Sequence, residues 1–169
     1  IYRNAAADLL LSPAQVADIV MQGHAALIVT GTALAVEPSR AATLQAISQA
    51  RTAGVPVILD VDYRPYSWVS AEDAAATCRM AAAECDIVIG NDTEWDVMAG
   101  GPGGLALAQS LASGRTAAIY KMGEKGSVSF AGGTRFETPV YRVVALKPTG
   151  AGDAFMAGLV TGLAAGLDL

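Results

Sequence analysis

The chain has 169 residues, 53% hydrophobic and only 16% charged, with a formal net charge of −5 and a pI near 4.7. That length and apolar content predict a single domain, residues 1–169, built around one buried α/β core. An acidic balance with no Lys/Arg cluster excludes nucleic acid as a partner. The longest uncharged apolar run, 154–167, is too short to span a bilayer, so no membrane partner is expected. Gly158, Gly162 and Gly166 at four-residue spacing within it read as a helix lying close against a sheet. Cys78 and Cys85 lie seven apart in a predicted helix and read as buried thiols of a cytoplasmic protein. His24 is the only histidine, which rules out a His-based metal site or a Ser-His-Asp triad.

In chain order, residues 25–30 form a buried strand. Ser39 caps a helix over 40–53 that Gly54 stops. Residues 55–61 are a β-branched strand leading to Asp62 and Arg64. Ser70 and Asp73 open a capping-box-like helix running to about Glu84. A short strand over 87–89 ends at Asn91, and Glu94 lies three residues on. Two readings stand side by side there: Asn91 and Glu94 as helix cap and N3 partner, or as groups facing a ligand. Residues 101–106 loosely fit a G-x-G-x-x-A fingerprint, but the segment 91–99 separates them from the preceding strand, so they read as a loop. A helix over 105–112 and a strand over 116–121 follow. Strands 127–131 and 134–137 flank Gly132-Gly133, a hairpin signal.

Strands alternating with helices predict a mostly parallel sheet with helices on both faces and one antiparallel hairpin. Ligands of such sheets bind beyond the carboxyl ends of the strands. Asp62, Arg64, Asn91, Glu94, Lys121 and Gly123 all follow predicted strands, which points to one shared site.

The most informative stretch is Thr149-Gly150-Ala151-Gly152-Asp153-Ala154-Phe155, a small-residue turn opening an apolar helix near Asp153. Gly150, Ala151 and Gly152 let backbone N–H groups converge on an anion, and the helix dipole favours negative charge there. A carboxylate beside an anion cradle suits a base that takes a proton from an attacking hydroxyl. It also suits an ordinary first-turn dipole partner.

The segment 149–158, TGAGDAFMAG, resembles the C-terminal signature of the ribokinase-like (PfkB-type) carbohydrate kinases. Asn91-Asp92-Thr93-Glu94 resembles that family's N-x-x-E motif, and residues 121–126, KMGEKG, its strand-end G-x-x-G turn. The opening IYRN and residues 59–65, LDVDYRP, are similar to the sugar-acid branch, the 2-keto-3-deoxygluconate kinases and especially the 5-dehydro-2-deoxygluconokinases. The resemblance covers residues 1 to about 166. It implies a ribokinase-like fold and ATP- and Mg²⁺-dependent phosphorylation of a six-carbon sugar acid. Asp153 would be the general base, with Gly150, Ala151 and Gly152 as the anion cradle. Arg3, Tyr2, Arg64 and Asp62 would hold the substrate. Asn91, Lys121, Gly123 and Gly126 would face the nucleotide, and Glu94 would orient water on Mg²⁺. Family members are longer, so the chain is expected to be their later part, without the first strands, the lid and the final helices. Homo-oligomerisation is left open. Many members carry Asp and Thr where Lys147 and Pro148 stand here, which argues against activation by K⁺.

Overall fold

A computed structural model describes residues 6–144, 147 and 149–167. Six strands, β1 (Leu27–Thr30), β2 (Val57–Asp60), β3 (Ile87–Asn91), β4 (Ala117–Lys121), β5 (Ser127–Ala131) and β6 (Thr134–Thr138), form one sheet in sequence order. Strands β1 to β4 are mutually parallel, and β5 and β6 add an antiparallel hairpin at one edge. The helices are α1 (Pro13–Ala17), α2 (Ser39–Thr52), α3 (Ala71–Ala82), α4 (Asp92–Ala99), α5 (Gly104–Leu111) and α6 (Ala151–Ala164).

Strand side chains alternate between faces. Val57, Leu59, Val88 and Ala118 point into one core with Ile47 of α2, Cys78 of α3, Trp95 of α4 and Ala108 of α5. Ile58, Ile89 and Ile119 take the other face, where Phe155, Met156 and Leu159 of α6 cover them. Burying such side chains contributes about 1.5–3 kcal/mol each, which sets α6 across the central strands. Among the described residues, no helix is long and apolar enough to cross a membrane.

Several local expectations change. The N-cap of α2 is Pro38, while Ser39 is the first helical residue and donates its hydroxyl to the Ala33 carbonyl at 2.9 Å. At α3, Ser70 accepts from the Asp73 N–H, but the Asp73 carboxylate turns to Arg40 at 2.9 Å instead of closing a capping box. That helix ends at Ala82, so Cys85 lies beyond it; both thiols are buried and free. Residues 101–106 are half helix: Gly104 opens α5, and a Cβ there would fall 2.6 Å from the Trp95 backbone. That glycine serves the close packing of α5 on α4. The glycine stripe of α6 does not mediate its approach to the sheet. A Cβ at Gly158 would meet nothing within 4 Å, and one at Gly162 would meet only Leu167.

Candidate active site

Alternation along the strands decides which polar groups meet. Counting on from Ile58, Ile89 and Ile119, the residues Asp60, Asn91 and Lys121 lie on the α6 face at the carboxyl ends of three consecutive parallel strands. Helix α6 begins above them, so its first turn and these strand ends enclose one space. Asp60, Asp62, Arg64, Asn91, Glu94, Lys121, Thr149, Gly150, Gly152 and Asp153 line this cavity of about 360 Å³.

On the α6 side, Gly150 is the N-cap with a φ of +84°, a left-handed conformation that glycine takes without a steric penalty. The helix therefore starts at Ala151, two residues before Asp153. Gly150 and Gly152 line the cavity, whereas Ala151 does not. Asp153 sits exposed in the first turn and borders the cavity, where the unpaired N–H groups of a helix start favour an anion.

At the end of β3, Asn91 Oδ1 accepts from the Glu94 N–H at 2.9 Å and Glu94 Oε2 accepts from the Asn91 N–H at 2.7 Å. This is a complete capping box, yet both residues also line the cavity. Capping and facing a ligand are thus compatible. Burial pushes the Glu94 carboxyl above its ordinary range, opposed by the Asn91 N–H and Lys121 and reinforced by Asp60 and Asp62.

After β2, Asp62 adopts a φ of +35°, uncommon for a residue with a Cβ. Its carboxylate pairs with Arg64 at 2.5 Å and accepts from the Thr32 hydroxyl at 3.3 Å. Gly31, next to Thr32, passes close to the residue that follows β2: a Cβ at Gly31 would overlap the Val61 carbonyl oxygen at 2.0 Å. The Arg64 side chain is 48% exposed, open to the cavity mouth and already neutralised by Asp62.

Lys121 projects under the first turn of α6, with Nζ 3.8 Å from Asp60 Oδ1 and 5.8 Å from the Phe155 ring centroid. Burial pushes Asp60 above its ordinary value; Lys121 and the Asp62 N–H pull it back, while Asp62 and Asp153 add to the rise. Gly123 and Gly126 lie outside the cavity lining. Gly126, with a φ of +88°, lets the end of β6 lie close against the start of β5, since a Cβ there would overlap the Thr138 carbonyl oxygen at 2.1 Å. Tyr2, Arg3 and Pro148 lie outside the described residues, and Lys147 is exposed.

Four carboxylates, Asp60, Asp62, Glu94 and Asp153, face two cations, Arg64 and Lys121, so the cavity carries excess negative charge. No described group of three or more His, Cys, Asp or Glu side chains is arranged to hold a metal by itself. The carboxylate oxygens that line the cavity are of the kind a hard cation such as Mg²⁺ takes beside its waters and phosphate oxygens. Asp60 lines the cavity although the LDVDYRP stretch gave it no role, and Thr32 and Gly31 support Asp62 from behind. The alternation counted on from Ile58 is a signal that could have placed it.

A helix N-terminus, an adjacent carboxylate and a lysine beneath them thus share one cavity at the carboxyl ends of a parallel sheet. The pfkB family carbohydrate kinase pattern matches residues 1–169, and the chain belongs to that family. It is 44% identical over 176 residues to a 5-dehydro-2-deoxygluconokinase of Photobacterium profundum, covering 100% of this chain and 53% of that protein. It is 36% identical over 172 residues to the Bacillus subtilis protein of the same name, covering 99% and 53%. The chain thus spans about half the length of these curated relatives. A Vibrio cholerae fructokinase crystallised with fructose, ADP and calcium aligns with a TM-score of 0.81 at 27% identity, over 91% of this chain and 50% of that one. A Salmonella enterica aminoimidazole riboside kinase, bound to its riboside and an ATP analogue, aligns at 0.80 and 25% identity over 90% and 51%.

Proposed function

We propose that the full-length protein transfers the γ-phosphoryl group of ATP to a hydroxyl of a six-carbon sugar acid, with 5-dehydro-2-deoxygluconate the leading substrate. The observation that carries this reading is the single cavity that gathers Asp153, the α6 glycines, Lys121 and the Asp62–Arg64 pair. Names of relatives at 36–44% identity support the choice of acid.

Each group has a job that its chemistry suits. Asp153 accepts the proton of the attacking hydroxyl. The N–H groups around Gly150, Ala151 and Gly152 and the Lys121 ammonium stabilise charge on the transferring phosphoryl group. Arg64 offers two N–H groups in a fork to the substrate carboxylate, drawing on the partner that Asp62 now supplies. Arg3 and Tyr2 stand as substrate ligands on the family resemblance alone. Glu94, with Asn91, is the group that would orient water around Mg²⁺, which would neutralise the phosphates when bound. The enzyme needs Mg²⁺, and on the departure at Lys147 and Pro148 it gains little from K⁺. Its ATP requirement fits the cytoplasm.

A coupled ADP-release assay of the full-length protein tests this against 5-dehydro-2-deoxygluconate, 2-keto-3-deoxygluconate and fructose. Preference for the first is the expected result. Turnover of fructose alone would move the protein to the sugar-kinase branch, and no turnover with any of them would overturn the kinase reading.

A further inference from the structure

Asp60 and Lys121 come from strands that are not neighbours, β2 and β4, with β3 between them. Their side chains are nevertheless among the less exposed polar groups of the cavity, at 14% and 16%. Three groups confine the Lys121 ammonium. Asp60 Oδ1 is 3.8 Å away, the Phe155 ring centroid lies 5.8 Å away, and a Cβ placed on Gly152 would sit 3.8 Å from Nζ. The ammonium is therefore held against the first turn of α6 from below.

Resting on the kinase reading, we infer that Asp60 is a positioning residue that holds the Lys121 ammonium beneath the glycine turn, where phosphoryl charge accumulates during transfer. Lysine carries a compact charge on a flexible four-carbon stem, so without an anchor it samples many positions. Charge that is fixed in place before the reaction stabilises a transition state without reorganising. Asp60 itself repels a nucleotide phosphate, and its wall position costs ground-state affinity. A carboxylate there is useful through the cation it holds. The separation of 3.8 Å is an ion pair without a tight hydrogen bond, which leaves the ammonium's N–H groups available to a phosphate oxygen.

The test is a double-mutant cycle in the full-length enzyme with Asp60→Asn, Lys121→Met and the pair, reading kcat, KM for ATP and Mg²⁺ dependence. Asp60→Asn is expected to lower kcat about tenfold while leaving KM for ATP level or lower, because a repulsive charge is gone. Lys121→Met should lower kcat at least as much, and the double variant should fall no further than Lys121→Met alone. A merely structural role would weaken nucleotide binding too and persist without the lysine. Where Asp60→Asn does not fold, Asp60→Glu carries the same comparison: its cost should appear with Lys121 present and vanish in the Lys121→Met background. If the Asp60 substitution costs as much with Met at 121 as with Lys, or changes only the Mg²⁺ requirement, Asp60 acts on its own and the inference fails. A wild-type enzyme that turns over none of the three sugars sinks the kinase reading and this inference together, whereas additive losses in an active enzyme sink only the inference.

Discussion

Asn91 and Glu94 hold each other's backbone N–H, at 2.9 Å and 2.7 Å, and both still face the cavity beneath α6. One pair of side chains starts α4 and forms part of the cavity wall. The capping box also immobilises the Glu94 carboxylate, since one oxygen is committed to the Asn91 N–H. A group oriented in this way is suited to holding water on an ion.

Glu94→Gln separates the two duties. The Gln carbonyl oxygen can still accept from the Asn91 N–H, so thermal stability should change little. Loss of the negative charge should raise the Mg²⁺ concentration for half-maximal rate by about 10–100-fold, the range for outer-shell metal partners. Glu94→Ala should in addition cost about 1 kcal/mol of stability through the broken cap. Melting curves and Mg²⁺ titrations of the rate check both. An unchanged Mg²⁺ requirement in Glu94→Gln would leave Glu94 as a cap alone.

Asp153→Asn should keep nucleotide binding and lose roughly 10²–10⁴-fold in kcat, the usual contribution of a general base. The substitution keeps size and hydrogen-bonding atoms in an exposed first-turn position, so folding should be preserved. Calorimetric ADP binding and steady-state rates measure the two halves. A variant with most of its activity would remove Asp153 as the base.

Arg64→Ala should raise KM for the sugar acid far more than KM for ATP. A charge-assisted hydrogen bond is worth about 1.5–3 kcal/mol, and the forked contact sets the scale of the loss. Arg64 pairs with Asp62 in an exposed position, so the stability change should be small. A rise confined to KM for ATP would assign the guanidinium to the phosphates instead.

Much of this arrangement was legible in the sequence because short strands and glycine turns carry strong local signals. The strand positions, the hairpin at Gly132-Gly133 and the gathering of Asp62, Arg64, Asn91, Glu94 and Lys121 after strand ends follow from periodicity, although Gly123, expected with them, lies outside the cavity lining. What escaped depends on contacts between distant segments. Gly31 reads as an unremarked residue until the Val61 carbonyl lies against it. Gly126 is read from a motif as ligand-facing, and its steric need, set by Thr138 across the hairpin, shows only in three dimensions. The α6 glycines share a spacing with close-packed helices, while the bulky Phe155, Met156 and Leu159 are what meet the sheet. Ser39 has the chemistry of a cap, and the Ala33 carbonyl claims its hydroxyl.

The two cysteines give a prediction independent of catalysis. Burial is the main cause that pushes both the Cys78 and Cys85 thiols up to about 12 from an ordinary 9.0. Cys85 also donates to the Ala81 carbonyl at 3.1 Å, which the neutral thiol alone can do. At pH 8 the native protein should therefore resist a thiolate-seeking reagent such as a disulfide dye, and reaction should track global unfolding in denaturant. The pH dependence follows from proton counting. Between pH 9 and about 12 the unfolded chain has released thiol protons that the native state keeps, so stability falls as pH rises through that window. Replacing both residues with alanine should flatten that alkaline loss, at the expense of two small packing defects that act at every pH. Denaturant midpoints measured from pH 8 to 11 for the wild type and the double variant decide it. Parallel curves, or rapid native labelling of either thiol at pH 8, would show that the two sites are open to water.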